Sequence, residues 1–351
     1  MDIKVIRRPF PLGGVQWSIA NRWIIGTKAR VFIVTPECTM SGSARQKREV
    51  SASIEASSNI EAVCLLEPLS EQFAYDHALG VLASDSSLRI FAPLGHPDSD
   101  NWSQVGSYRS EAGGNSLMCA MACAPANATE DHASIAVAAC GYMDGTMELV
   151  RLESLEGSAG NIRATMTLSV DASQHAVGHM AWIDRVGSQL LLLLVCTIDG
   201  RASLWQIHRD LSRASLLTAV DEQDWRQYTA HCASGKCLAL AKTGKVAIMD
   251  ISTGGVPAVQ YASLGVSQTI VSCVIDERRE RIYVAAADFF VFVLSKQDGV
   301  WSRRPEEERM LRDGMRQTVI RSFTTKFKMS GLVLRSLALS PNARYLAFAA
   351  E

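Results

Sequence analysis

LLLLLVCTIDGRASLWQI, residues 190–207, holds an unbroken apolar run, an Asp-Gly pair and a second apolar segment. The run from Leu190 to Ile198 is nine residues long before Asp199 interrupts it, whereas a helix that crosses a bilayer needs roughly 20 apolar residues. A buried strand, a tight turn at Asp199-Gly200 and a second strand from Arg201 account for every residue. The stretch reads as a β-hairpin.

The same grammar recurs along the chain. Hairpin patterns lie at 21–36, 77–93, 133–152, 235–251 and 280–295, and ARYLAFAAE at 343–351 supplies one arm of another. Ahead of most of them runs one more short apolar strand, as in GVQWSIAN, AVCLLEPLS, CAMACAPAN, GHMAWIDR, SCVIDERR and RSLALSPN; the fifth, YTAHCASG, is blurred. Anchoring on Trp17, Leu66, Cys123, Trp182, His231, Ile275 and Leu339 gives intervals of 44 to 64 residues, at or somewhat above the roughly 40–50 of propeller blades. A sheet of three or four strands cannot cover both of its own faces, so seven such units must stack around an axis. The expected fold is all-β, a single seven-bladed β-propeller of WD-repeat character spanning 1–351. Its last blade is either incomplete or closed by the amino-terminal strand DIKVIRRPF, through Ile3, Val5 and Phe10. A blade still short of a strand suggests the amino-terminal domain of a longer protein, or completion by a partner.

Composition sets the remaining bounds. The chain is 48% hydrophobic and 20% charged with a formal net charge of -1, so the whole-molecule field gives no reason to expect a nucleic-acid or membrane partner. The first seventeen residues, MDIKVIRRPFPLGGVQW, lack the apolar core of a signal peptide. Nine cysteines, an odd number lying mostly in strand-like runs, read as buried free thiols in a reducing compartment. Cys119 with Cys123, Cys232 with Cys237, and His175 with His179 are closely spaced. None forms a paired Cys-x-x-Cys, and i,i+4 positions on a strand are about 13 Å apart; no metal is expected.

Three stretches carry a family resemblance. VQWSIANRWIIGTKARVFIVTPE, ALGVLASDSSLRIFAP with Trp102 beyond it, and HMAWIDRVGSQLLLLLVCTIDGRASLWQI resemble, in turn, the first blade, the second blade and the Leu-Ala-Trp blade of the amino-terminal propeller in the transcription factor IIIC subunit of the ninety-kilodalton class. The likeness covers most of residues 14–207. It implies a nuclear, non-catalytic scaffold linking promoter-bound subunits to the RNA polymerase III machinery, with protein partners and at most indirect contact with DNA. The alternatives are a WD-repeat adaptor of another nuclear or cytoplasmic complex, or an enzyme using the central channel.

The chemistry of an enzyme is not legible. Gly-x-Ser-x-Gly, the phosphate-binding Gly-Lys-Ser/Thr loop, Gly-x-Gly-x-x-Gly and His-Glu-x-x-His are all missing. Acetyltransferase activity, associated with the resembled family, would call for a Gln/Arg-x-x-Gly-x-Gly/Ala loop, which is missing too. Asp85, Asp144 and Asp199 each fall in a hairpin turn, where aspartate is favoured for local backbone reasons. No cofactor and no small-molecule substrate are expected.

Two segments depart from the blade pattern. Residues 38–59 are Ser-rich around Arg45, Lys47 and Arg48 and read as a flexible loop. Residues 296–331 hold nine Lys/Arg against five Asp/Glu, with Pro305 and Glu306–Glu308 placed to start a helix. Arg309, Arg312 and Arg316 then share one face. With Arg303 and Arg304 they are the candidate partner-binding residues; the plainer reading is a solvated helix whose charges pair with one another.

Overall fold

In the computed structural model every hairpin pattern above forms strands. The structure describes residues 5–6, 15–17, 23–26, 30–34, 52–55, 59–66, 78–93, 102–110, 116–124, 134–154, 161–183, 190–220, 228–234, 236–252, 256–265, 267–322, 333–340, 343 and 346–350. Strand β1 (Val5–Ile6) precedes the first blade, which is β2 (Val15–Trp17), β3 (Trp23–Gly26), β4 (Arg30–Val34) and β5 (Ala52–Glu55). Blade two is β6 (Ile60–Leu66), β7 (Ala78–Ala83), β8 (Leu88–Pro93) and β9 (Trp102–Tyr108). Blade three is β10 (Met118–Cys123), β11 (Ser134–Tyr142), β12 (Thr146–Ser154) and β13 (Ile162–Asp171). Blade four is β14 (Val177–Ile183), β15 (Leu190–Thr197), β16 (Ala202–His208) and β17 (Ala214–Val220). Blade five is β18 (Ala230–Ala233), β19 (Cys237–Lys242), β20 (Lys245–Asp250) and β21 (Val259–Ser263). Blade six is β22 (Ile270–Asp276), β23 (Arg281–Ala286), β24 (Phe290–Gln297) and β25 (Val300–Arg303), followed by helix α1 (Pro305–Ser322). Strands β26 (Leu334–Leu339) and β27 (Leu346–Ala350) form blade seven with β1.

The apolar runs are continuous because the middle strands of a blade have two buried faces. In β15, Leu191, Leu193 and Val195 pack with Val137, Ala139 and Leu149 of blade three. Leu192, Leu194 and Cys196 point the other way, onto Leu238 and Leu240 of blade five. Such clusters fill the seams from blade one through blade seven, and β26 lies beside β2 where the ring meets itself. Each fully buried Leu or Ile contributes about 1.5–3 kcal/mol. The outer strands lie half in solvent: in β13, Arg163, Thr165 and Met166 are exposed. This is why their sequences alternate weakly and are hard to see.

Three expectations are corrected here. Ala52–Glu55 is the outer strand of blade one, so the 38–59 segment is not wholly a loop; its other positions, apart from Asn59, lie outside the described residues. Residues 296–303 complete blade six through the end of β24 and through β25, so the addition to the blade begins with α1. Cys64 on β6 and Cys123 on β10 are joined as a disulfide between blades two and three. The odd count had argued for free thiols throughout, but the two positions are 59 residues apart and only the stacking of blade two on blade three brings their inner strands side by side.

The amino-terminal strand enters blade seven through Val5 and Ile6; Ile3 and Phe10 lie outside the described residues. Val5 pairs with Phe348 and Ile6 with Ala349, in parallel register on the outer edge of β27. Deleting residues 1–9 exposes that edge and is expected to lower the melting temperature by several degrees, at roughly 1.4 °C per kcal/mol for a chain of this length. A differential scanning fluorimetry trace that overlays the parent's contradicts this closure.

Candidate functional site

Helix α1 starts where Pro305 and three glutamates place it. Arg304 immediately precedes it: its backbone N–H donates to Val293 O at 2.8 Å and its carbonyl accepts from the Glu308 N–H at 3.1 Å. Glu308 turns back under the first turn and is 1% exposed. Its Oε1 and Oε2 accept from Arg303 Nε and Nη2, each at 2.8 Å, and Oε1 also accepts from the Val293 N–H at 3.2 Å. Arg303 donates its Nη1 to Leu264 O at 2.8 Å and lies over the Phe292 ring, 4.8 Å from its centroid. This fork holds the guanidinium charged, above the ordinary arginine range through the Glu308 hydrogen bonds. Arg303 therefore ties α1 and blade five to blade six.

The other candidate arginines are placed differently. Arg304 donates through Nε to Ser295 Oγ at 2.5 Å. Arg309 is exposed, and no ion pair engages it among the described residues. Arg312 is half-buried against the Phe290 ring at 5.4 Å. Arg316 lies in α1, its side chain outside the described set. The structure brings Arg303, Arg304 and Arg309 to one groove of about 740 Å³ on blade six and adds Arg279, Arg281 and Lys296 to them. Arg281 is compensated by Glu307 at 2.9 Å and Arg279 by Asp276 at 3.3 Å. Lys296 makes no direct salt bridge among the described residues but lies near Asp250, whose carboxyl is held below the usual range first by the Ser252 hydrogen bonds and then by the Lys296 charge, and Arg304 donates to a hydroxyl. The run DERRER at 276–281 was the available signal for the added cations; it had read only as a turn between β22 and β23.

A second hollow, about 280 Å³, adjoins the groove at the seam of blades five and six. Lys296 lines both. The hollow's lining combines the apolar Ile248, Met249, Ile275 and Trp301 with Lys236, Asp250, Glu277 and Glu280.

Elsewhere the polar groups serve the fold. Asp85 accepts from the Ser87 hydroxyl at 2.6 Å and pairs with Arg89 at 2.8 Å; the Ser87 hydrogen bond first, then Arg89, holds its carboxyl below the usual range despite slight burial. Asp144 and Asp199 bond likewise to Thr146 and Thr197 within their own turns, and the glycines after them have φ near +90°. At Gly145 a Cβ would lie 2.1 Å from Ser173 O, so this turn demands glycine. The paired Cys and His positions do not converge: Cys119 donates to Val177 O at 2.9 Å, His175 faces Asp199 across 3.7 Å, and His179 meets His231 of blade five through ring nitrogens. Among the described residues no three His, Cys, Asp or Glu gather as a metal set.

The His179–His231 pair has a pH consequence. Burial pushes His179 down to about 4, and burial together with the neighbouring imidazole lowers His231. Both are below the ordinary 6.5 in the folded state, so their contribution to stability is complete above that pH and lost as pH falls toward 4. The urea midpoint is expected to drop over this window in the parent and to drop less in His231→Gln. Equal slopes for the two would sever the effect from this pair.

Six four-stranded antiparallel sheets and a closing three-stranded one, ranged about an axis with their seams filled, define a β-propeller of WD-repeat type. Solved structures agree. A chain in the crystal structure of a mitotic checkpoint complex matches at TM-score 0.59 and 13% identity, over 98% of this chain and 86% of that one. The β-propeller domain of Cps50 (Swd1) from Myceliophteria thermophila matches at TM-score 0.55 and 9% identity, over 78% and 80% respectively. No family model and no curated protein sequence matches the chain. At such identities the likeness is one of fold.

Proposed function

We propose that this propeller is a non-catalytic platform on which protein subunits assemble, and that it serves in a transcription factor IIIC-type assembly of the RNA polymerase III machinery in the nucleus. The observation that carries the docking role is the blade-six groove, where six cations gather and Arg304 and Arg309 stand without carboxylate partners among the described residues. A chain of net charge -1 that leaves cations uncompensated in one groove attracts acidic surfaces there, raising encounter rates more than final affinity. The propeller fold supports the reading because it holds such a groove on a rigid ring. The assembly is suggested by the blade-like stretches within 14–207, including Trp17-Ser18 and Leu204-Trp205-Gln206. A WD-repeat adaptor of another complex uses the same surface.

Affinity purification of the tagged chain from native extract, read by mass spectrometry, separates these readings. Polymerase III transcription factors in stoichiometric amount support the first, and subunits of a different complex support the adaptor. Absence of any stable partner contradicts the platform itself. The Lys296→Glu, Arg309→Glu double variant is expected to slow association at low salt with the melting temperature nearly unchanged.

A further inference from the structure

The groove and the hollow beside it are joined at Lys296, and their chemistries differ. We infer that together they form a receptor for a linear peptide motif, one aliphatic side chain with a run of carboxylates beside it, presented by an extended acidic segment of a partner protein. This rests on the platform reading and names the chemistry of its partner.

The hollow selects the anchor. At about 280 Å³ it falls just below the roughly 300–1,000 Å³ of small-ligand sites, too small for a cofactor and sufficient for a leucine- or methionine-sized side chain. Ile248, Met249, Ile275 and Trp301 offer it apolar lining. Lys236, Lys296, Asp250, Glu277 and Glu280 complete its lining, so apolar and charged groups are offered together to one anchor residue.

The groove selects the acidic run. Arg304 and Arg309 lie along it without carboxylate partners among the described residues, Lys296 shares the adjoining hollow with Asp250, Glu277 and Glu280, and Arg279, Arg281 and Arg303 are paired. A concentrated phosphate cluster at the helix start is disfavoured, because Glu306 and Glu307 occupy the first turn and Glu308 is folded beneath it. Spaced carboxylates can reach the outlying cations and avoid those glutamates. Nucleic acid is the weaker fit: single strands bind through aromatic stacking platforms, and the 740 Å³ groove has no aromatic side chain in its lining.

The test uses the full chain and fluorescence anisotropy. The probe is a fluorescein-labelled peptide with one leucine flanked on each side by four aspartates, and the comparison probe has serine in place of that leucine. Two variants separate the halves of the site: Lys296→Glu with Arg309→Glu in the groove, and Ala258→Trp, an exposed position lining the hollow, to fill it. The parent is expected to bind the leucine peptide at low salt, with roughly tenfold loss in the charge-reversed variant and about fivefold loss from either the serine peptide or Ala258→Trp. Melting temperatures within a degree of the parent's exclude misfolding, and a variant that fails this check is replaced by Lys296→Ala or Ala258→Leu. No binding by the parent, or equal binding of the leucine and serine peptides, overturns the motif. Tighter binding of an oligothymidine that displaces the peptide overturns it in favour of nucleic acid. If the leucine peptide fails while natural partners still co-purify and are lost on charge reversal, the motif falls and the platform stands.

Discussion

Trp205→Ala is expected to cost about 3–5 kcal/mol, as for other large core truncations. At the unfolding entropy of a chain this long, that is a drop of roughly 4–7 °C in melting temperature. Trp205 follows the Asp-Gly turn of blade four, is 9% exposed, and packs among Val137, Ala139, Met147 and Leu149 of blade three. Its indole N–H donates to Ser203 Oγ at 2.9 Å, so truncation opens a cavity in the seam and removes a hydrogen bond, the Ser203 hydroxyl keeping its bond to Val195 O. Trp205→Phe keeps most of the volume and is expected to lose less than half as much. A melt unchanged in the alanine variant means the seam does not depend on this residue.

Glu148→Ala is expected to be comparably damaging for an electrostatic reason. Glu148 lies in the run TMELV of β12, 2% exposed, and its carboxyl oxygens accept from Tyr108 at 2.9 Å, Ser110 at 2.7 Å and Tyr142 at 2.5 Å. Tyr108 and Ser110 come from the end of blade two and the other two groups from blade three, so this cluster closes a seam with hydrogen bonds. Removing the shared acceptor leaves three hydroxyls to be satisfied in a buried place, at about 1–3 kcal/mol for each that finds no partner. Glu148→Gln, which keeps one carbonyl oxygen, is expected to lose less. Burial first, with Glu148 beside them, raises both tyrosines well above their ordinary value of 10. A pKa raised in the folded state contributes stability that is complete below pH 10 and lost as pH rises beyond it. The difference in unfolding midpoint between the parent and Tyr108→Phe, Tyr142→Phe should therefore change between pH 9 and 11. A constant difference shows that these phenols titrate alike folded and unfolded.

The ring was legible in the sequence because its middle strands obey one rule twice. Leu190 to Cys196 are all apolar since alternate residues serve opposite seams, and that pattern repeats with an Asp-Gly or similar turn beside it. Strand β18 was faint for a physical reason: Ala230–Ala233 is short and carries His231 toward His179 of the preceding blade rather than into the core. The outer strands were not singled out, because exposed alternation such as IRATMTLSVD looks like many surface segments. Helix α1 was read from Pro305 and its glutamates, yet nothing local said that Glu308 would fold under Arg303 or that Glu307 would meet Arg281 across 26 positions. The hollow at Lys296 was hidden for the same reason, since its walls come from two blades.

The docking claim is tested most directly by lysine acetylation footprinting of the chain free and in its purified complex. Lys236 and Lys296 border the proposed site at the seam of blades five and six, whereas Lys245 opens β20 at the opposite end of that strand from Asp250. Protection of Lys296, and of Lys236 beside it, with Lys245 unchanged, is the predicted result. Full reactivity of Lys296 in a complex that protects lysines elsewhere would contradict it, placing the partner on another face of the propeller.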